Sequence, residues 1–473
     1  MSMMAGQWTK LGVRFLPFAD AASVELPLKR LLRLSLFQIS VGMAAVLLTG
    51  TLNRVMIVEL GVSSALVALM VALPLLFAPL RALIGFRSDN HRSLLGWKRV
   101  PYIWFGTLMQ FGGLAIMPFA LLVMSGDGVA PALYGEIGAA LAFLLVGAGM
   151  HMTQTAGLAL ATDIAPEDTR PRVVALLYVM LLGGMLLSSI VVGSLLVDFS
   201  PLRLIQIVQG AAALTMVLNL VALWKQEVRD SKATLPGRAR PDFSASWQAF
   251  VAPARTRRLL VAVGLGAAAF AMQDVLLEPY GGEVLGLGVG QTTLLTALWA
   301  AGTMAGLGLA AHQLGAAADP HRLAGLGALV GVFAFAFVLM SAPMASVPLF
   351  CIGIVGIGIG GGLFAVGTLI AAMALADASG TGLALGAWGA VQATCAGLAI
   401  LVAGIVRDGV AGSAMNGGFG PVLQSPATSY AMIYVAEIML LFATLVALGP
   451  LARRSGSGED MRARPFGLTE FPV

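Results

Sequence analysis

The sequence is poor in charged residues and in cysteine. Only 11% of its 473 residues are Asp, Glu, Lys or Arg, and 58% are hydrophobic, whereas soluble domains carry roughly 25% charged residues. The two cysteines, Cys351 and Cys395, lie in separate apolar segments and form neither a CxxC pair nor a disulfide framework. This composition excludes a water-soluble globule and predicts a polytopic membrane protein.

The sequence also lacks the motifs of common enzyme sites. HExxH, GxSxG and the Walker A motif are absent. Residues 356–361 match GxGxxG, but they lie inside a long apolar run with no strand before them, so dinucleotide binding is rejected. We therefore predict a protein that is not an enzyme, has no metal site of its own and does not bind nucleic acid.

Long apolar runs are abundant. Each of twelve runs is long enough to cross a bilayer core of roughly 30 Å as a helix, and backbone polar groups inside a bilayer must be bonded internally. The runs begin near residues 34, 63, 100, 135, 172, 201, 258, 290, 322, 348, 380 and 428. The GxxxG pairs Gly302/Gly306 and Gly358/Gly362 predict faces where these helices pack closely. The predicted fold class is all-α with twelve transmembrane helices.

The basic residues predict the orientation. If both termini are cytoplasmic, 25 of the 28 Lys and Arg residues face the cytoplasm and only Arg54, Arg203 and Arg407 face outward. The formal charge of +5 is then a topology signal. The predicted segments are a cytoplasmic N-terminal segment, a first six-helix half, a cytoplasmic linker, a second six-helix half and a cytoplasmic tail, at residues 1–33, 34–224, 225–257, 258–451 and 452–473.

Short motifs recur at equivalent places in the two halves. GxxxDxHR occurs at 85–92 and again at 315–322, and the polar interruption LNRVMI at 52–57 corresponds to MQDVLL at 272–277. Ordered matches at a nearly constant offset indicate duplication of a six-helix unit. Two six-helix repeats joined by a central linker resemble the major facilitator superfamily.

Two loops carry polar residues that resemble the loop signature of that superfamily. Gly85, Asp89 and Arg92 lie after the second run, and Asp163 and Arg170 lie after the fourth. Charge-assisted hydrogen bonds among these groups would latch one conformation. The alternative is a solvated loop held by ordinary helix caps.

Longer motifs extend across nearly the whole chain. They are RFLPFADAA at 14–22, TLNRVMIVELG at 51–61, GWKRVPY at 96–102, GMHMTQT at 149–155, MQDVLLEPYGG at 272–282 and ALGAWG at 384–389. These motifs resemble the PucC/LhaA family of light-harvesting complex assembly proteins. The resemblance implies a protein of the bacterial inner, intracytoplasmic photosynthetic membrane, with bacteriochlorophyll as cargo or ligand. It also implies antenna polypeptides, membrane lipid and pigment-synthesis machinery as partners.

His151 is the candidate pigment ligand. It lies inside the fourth run with Gln154 one helical turn later, and a neutral imidazole can ligate the magnesium of a chlorophyll-type ring. Gly147 and Gly149 are expected to leave space for a flat macrocycle. The alternative is a histidine that hydrogen-bonds to a neighbouring helix.

Ionisable residues within the other runs are candidate gating groups, because such groups are costly at membrane depth. Arg54 and Asp274 occupy repeat-equivalent positions, with Glu278 one turn beyond Asp274. We expect Arg54 and Asp274 to pair across the halves and to close the outer side; the alternative is separate hydration. Glu437 has no partner that the sequence identifies.

Two functions fit these observations. The first is a non-enzymatic assembly factor for light-harvesting antenna complexes, which binds or delivers bacteriochlorophyll, antenna polypeptides or both. The alternative is an alternating-access transporter of a small or hydrophobic solute, for which Arg54, Asp274 and Glu437 would be cavity groups. The scarcity of interior charge favours a hydrophobic cargo or no cargo.

Overall fold

The computed structural model describes most of the chain. The described residues are 26–76, 97, 99–125, 131–166, 169–227, 248, 250–315, 318–374, 381–416, 418, 420 and 423–454. Three candidate loop residues, Gly85, Asp89 and Arg92, lie outside this part. The same holds for residues 228–247 and 249 of the predicted linker, and for residues 1–25 and 455–473 of the terminal segments.

Twelve helices, called spans 1 to 12, follow one another in the described part. Eleven are long and apolar enough to cross a membrane, and span 2 is described for thirteen residues. The bounds are Leu28–Glu59, Ser64–Leu76, Val100–Met124, Ala132–Ile164, Arg170–Leu195, Pro201–Leu223, Ala254–Glu283, Val289–Gly315, Pro320–Ser341, Val347–Ala374, Thr381–Met415 and Pro426–Arg454. Eleven of these helices begin within four residues of the predicted starts.

Span 1 begins six residues earlier than predicted, and two arginines explain the difference. Arg30 donates to the side-chain and backbone oxygens of Gln226 at 3.1 and 2.6 Å, and Arg33 donates to the carbonyl of Trp224 at 2.7 Å. These carbonyls follow the C-terminus of span 6, where helices leave acceptors unbonded. The arginines therefore extend span 1 beyond its apolar run.

Helix packing repeats between the halves. Span 3 packs extensively on span 4, and span 9 does so on span 10. Between the halves, span 2 contacts span 11 and span 5 contacts span 8. These two contacts are equivalent, because span 8 corresponds to span 2 and span 11 corresponds to span 5 in the repeat. The predicted glycine faces are confirmed for spans 8 and 10, because a Cβ on Gly306 would lie 2.5 Å from the carbonyl oxygen of Ile359. The packing has the two-fold pseudosymmetry expected of a duplicated unit.

Spans 1 and 7 depart from α-helical geometry at equivalent positions. Span 1 contains π-helical turns at Val46–Leu52 and Val55–Glu59. Span 7 contains a 3₁₀ segment, Met272–Val275, and then continues as Leu277–Glu283. Interruptions of this kind often mark functional positions. Both lie toward the end of the bundle that the charge distribution predicts to face outward, called the predicted outer end below.

Candidate functional site

The two irregular segments contact each other across the boundary between the halves. The side-chain amide of Asn53 donates to the backbone carbonyl of Val275 at 3.0 Å, and the hydroxyls of Thr51 and Thr293 are 3.0 Å apart. Asn53, Thr51 and Thr293 are fully buried. A 3₁₀ segment leaves carbonyls without the usual α-helical donor, and Asn53 supplies a donor to one of them.

Arg54 makes a local ion pair and a bond to the opposite half. Its guanidinium pairs with the Glu59 carboxylate and donates to the carbonyl of Leu287 at 3.1 Å. The structure therefore differs from the predicted direct pair of Arg54 with Asp274. The wide turns of the π-helix bring residue 59 close to residue 54, so the arginine has a nearer acid. The gating role of Arg54 stays a prediction.

Glu278 is held inside the C-terminal half. Its carboxylate accepts a 2.7 Å hydrogen bond from Thr296 on span 8, and it interacts electrostatically with Arg54. The side chain packs against Gly50 of span 1, where a Cβ would collide with the carboxyl group. The predicted contact of span 7 with span 1 is therefore made by Glu278 rather than by Asp274.

Asp274 lies beside an acid that the sequence left without a partner. It accepts a hydrogen bond from the side chain of Gln273 and interacts electrostatically with Glu437 of span 12. Glu437 is fully buried. Sequence separation hides this proximity, because spans 7 and 12 come together only in the folded bundle.

A polar cluster at the predicted outer end was not anticipated from the sequence. Arg407 of span 11 pairs with Glu283 and Asp408, and Tyr430 of span 12 donates to Glu283 at 2.9 Å. Asp408 also accepts a 2.7 Å bond from the backbone N–H of Ala65, at the start of span 2 in the other half. The only sequence signal was Arg407 itself, one of three outward-facing basic residues.

His151 and Gln154 share one half-buried face of span 4, and Leu158 continues that face. Leu158 packs both on a cluster formed by spans 5, 8, 9 and 10 and on a cluster within the N-terminal half, so this end of the face lies near the boundary between the halves. The expectation about the nearby glycines is wrong. A Cβ on Gly149 would lie 2.5 Å from the carbonyl oxygen of Gly106, and Gly147 packs against Pro74. Spans 2 and 3 fill the space expected for a ring.

Asp163, at the opposite end of the bundle, pairs with a residue that immediately precedes span 3. It accepts a 3.0 Å hydrogen bond from Arg99, just before span 3. The carboxylate of Glu227, after span 6, accepts from the backbone N–H groups of Arg99 and Val100. Arg170 begins span 5, and its side chain lies outside the described part. These contacts all stay within the N-terminal half and its junction with the linker.

A large apolar groove opens on the C-terminal half. Its volume is about 1040 Å³, and spans 7, 11 and 12 form its walls. Its lining includes Leu260, Gly264, Ala268, Cys395, Leu398 and Met439. With almost no polar lining, the groove suits an apolar group rather than a hydrophilic solute.

Comparisons with known proteins agree with this architecture. Residues 51–456 match the PUCC protein family. The chain is 55% identical over 469 residues to an uncharacterized protein in the puhA–bchM intergenic region of Rhodobacter capsulatus, covering 98% of each chain. It is also 55% identical over 414 residues to Protein PucC of Rhodovulum sulfidophilum, covering 86% of this chain and 91% of that protein.

Among solved structures, the chain resembles a bacterial homologue of the human lysosomal transporter Spinster in an inward-facing, unoccupied conformation. The TM-score is 0.69 at 15% sequence identity, covering 90% of this chain and 96% of the other. At this identity the likeness concerns the fold alone. It confirms the predicted all-α, major-facilitator-like fold class.

Proposed function

The chain belongs to the PucC family, and on that premise we propose that it is an assembly factor for photosynthetic light-harvesting antenna complexes. It is a multi-pass membrane protein. In this proposal it binds or delivers bacteriochlorophyll, antenna polypeptides or both within the membrane. Pigment-synthesis machinery is a further proposed partner.

The apolar groove on spans 7, 11 and 12 is the observation that carries the proposal. The groove is open on one side and has a volume of about 1040 Å³. In contrast, the polar groups between the halves bond one another: Asn53 bonds Val275, and Thr51 contacts Thr293. The arrangement favours an apolar cargo over a hydrophilic solute.

His151 and Gln154 are the proposed pigment contacts between the halves. The imidazole offers a nitrogen to magnesium, and the Gln154 amide offers a donor to a ring carbonyl. Both residues are half-buried, and Leu158 on the same face of span 4 contacts apolar residues of the C-terminal half. When bound, bacteriochlorophyll would supply the metal and the protein would supply the nitrogen ligand.

The proposed location is the bacterial inner, intracytoplasmic photosynthetic membrane, with both termini and the linker in the cytoplasm. The distribution of Lys and Arg supports this orientation. A reporter domain that works only in the cytoplasm should be active when fused after residue 240, and a reporter that works only after export should be inactive there. Activity only of an exported reporter would reverse the assignment.

Copurification tests the function. The tagged protein, expressed in a photosynthetic bacterium that lacks its own copy, should retain antenna polypeptides and pigment absorbance. Ala268→Trp fills the groove and should reduce both, whereas Ala213→Trp on the exposed face of span 6 is the matched control. The proposal fails if the wild type carries neither and a deletion strain still assembles normal antenna complexes. Stabilisation of a pigment-free protein by a small solute would support the transporter alternative.

A further inference from the structure

Two acidic residues lie on packed helical segments inside the C-terminal half. Asp274 lies in the 3₁₀ segment of span 7, and Glu437 lies near the middle of span 12, which packs on that segment. The carboxyl groups interact electrostatically. No side chain in the described part of the chain donates a hydrogen bond to Glu437, and the polar group that approaches its carboxyl is the backbone N–H of Gln273. Glu437 is therefore a buried acid with no compensating cation among the described residues.

The arginines of spans 1 and 11 at the predicted outer end are already paired with acids. Arg54 pairs with Glu59, and Arg407 pairs with Glu283 and Asp408. The other arginines of the C-terminal half whose side chains are described lie in the first turns of spans 7 and 9, at the opposite end; they are Arg255, Arg257, Arg258 and Arg322.

The other groups that face the acids are neutral. Tyr434 faces Glu437 from the same helix, and Tyr280, from the end of span 7, bonds Ser341. Gln273 bonds Asp274. Within the described residues, no basic side chain reaches the pair.

An uncompensated carboxylate is expensive in this setting. Burying an isolated ionised group costs many kcal/mol, and a second like charge nearby adds to the cost. Metal cations such as Ca²⁺ take six or more oxygen ligands, and no three His, Cys, Asp or Glu side chains converge among the described residues. A proton is the positive charge that this arrangement can hold.

We propose that Asp274 and Glu437 form a proton-binding site in the membrane-spanning region of the C-terminal half. Asp274 is half-buried, whereas Glu437 is fully enclosed. A proton from water adds to a carboxylate oxygen and leaves a neutral acid, and the reverse step returns it. Asp274 exchanges the proton and Glu437 retains it. This site goes beyond the proposed assembly role and does not depend on the cargo.

A hydrophobic carbodiimide tests the site, because this reagent modifies protonated carboxyl groups in apolar surroundings. The purified full-length protein is treated with dicyclohexylcarbodiimide over a range of pH, and peptide mass spectrometry locates the modified residues. We expect Glu437 to be modified at neutral pH, with a decline as pH rises. Glu283, an acid paired with Arg407, is the internal control and should stay unmodified.

Variants and salts complete the test. The Glu437→Gln variant should show no carbodiimide modification in span 12. The Asp274→Asn variant should show a changed pH dependence of the modification of Glu437. The proposal is overturned if folded wild-type protein shows no modification of either acid at any pH. Protection by excess Na⁺ or K⁺ at constant pH would also overturn it, because a metal cation would then occupy the site. The decisive measurement is made on the wild-type protein, so the test remains valid even if a variant does not fold.

Discussion

The side-chain amide of Asn53 donates a 3.0 Å hydrogen bond to the backbone carbonyl of Val275, joining the irregular parts of two repeat-equivalent helices. Duplication placed a polar interruption at the same position in each half. In the folded protein, the interruption of span 1 supplies a donor and that of span 7 supplies an acceptor. The two halves therefore contact each other where both depart from α-helical geometry.

Asn53→Ala removes this donor and leaves a buried carbonyl unbonded. We expect a loss of about 1–3 kcal/mol in the free energy of unfolding, seen as a lower denaturation midpoint in detergent. Asn219→Ala is the matched control, because Asn219 is equally buried and bonds Thr107 and Ser40 within one half.

A cross-link distinguishes the two variants. Cysteines replacing Thr51 and Thr293, whose hydroxyls are 3.0 Å apart, should cross-link the halves after Cys351 and Cys395 are changed to Ala. Asn53→Ala should lower the yield and Asn219→Ala should not. Equal yields in both variants would show that Asn53 does not hold the halves together.

Arg54 should couple energetically to Glu59 and not to Asp274. A double-mutant cycle with Arg54→Gln and Glu59→Gln should give a coupling of about 0.5–3 kcal/mol, as expected for residues in contact. The cycle with Asp274→Asn is the comparison and should be nearly additive. Strong coupling to Asp274 together with none to Glu59 would restore the pair predicted from the sequence.

Arg407 should matter more for stability than Arg203, although both are basic residues at the predicted outer end. Arg407→Gln leaves the mostly buried Glu283 without its cation, which we expect to cost about 3 kcal/mol. Arg203 is exposed, and its guanidinium lies 3.8 Å from the carboxylate of Asp198, which is also exposed. An exposed ion pair of this kind contributes little, so Arg203→Gln should cost less than about 1 kcal/mol. Equal losses in thermal unfolding would contradict this ranking.

Gly306 should tolerate no side chain. Its Cβ position lies 2.5 Å from the backbone of Ile359, whereas Gly308, two residues later, has open space around it. Gly306→Ala should separate spans 8 and 10 and lower the unfolding midpoint. Gly308→Ala should be neutral or gain up to about 1 kcal/mol, because Ala favours helix over Gly. The opposite order would mean that the two spans do not pack through Gly306.

His151→Leu should lower the pigment bound per protein if the imidazole ligates bacteriochlorophyll. Leu keeps an apolar side chain at the site and removes the nitrogen. His312→Leu, at an exposed position of span 8, controls for histidine loss alone. Absorbance is compared for folded proteins purified without antenna polypeptides. Equal pigment in wild type and His151→Leu would eliminate His151 as the ligand and leave the assembly role untouched.

The helices were predictable because apolar length is a local property of the chain, and the length of the bilayer core sets the threshold. The partner of Arg54 could not be predicted, because a π-helical turn changes the sequence spacing at which side chains meet. Predictions based on α-helical spacing therefore overlooked Glu59. No sequence pattern announces such turns inside an apolar run.

The same limit applies to contacts between helices. Gly147 and Gly149 indicate a place where something approaches span 4 closely, but they do not identify it. The structure shows Pro74 and Gly106 in that place. The proximity of Asp274 and Glu437 depends likewise on which spans become neighbours, and single-sequence patterns carry no information about that.

The apolar groove lies entirely on spans 7, 11 and 12, within one half of the molecule. In a carrier whose substrate sits between the halves, rearrangement changes the contacts made to the substrate. A cargo in this groove would keep the same contacts when one half rocks against the other. A ligand that binds two conformations with equal affinity does not shift the equilibrium between them. In the proposed assembly role, the residence time of such a cargo would therefore be set by the groove and by the partner that removes the cargo, as in a handover between proteins.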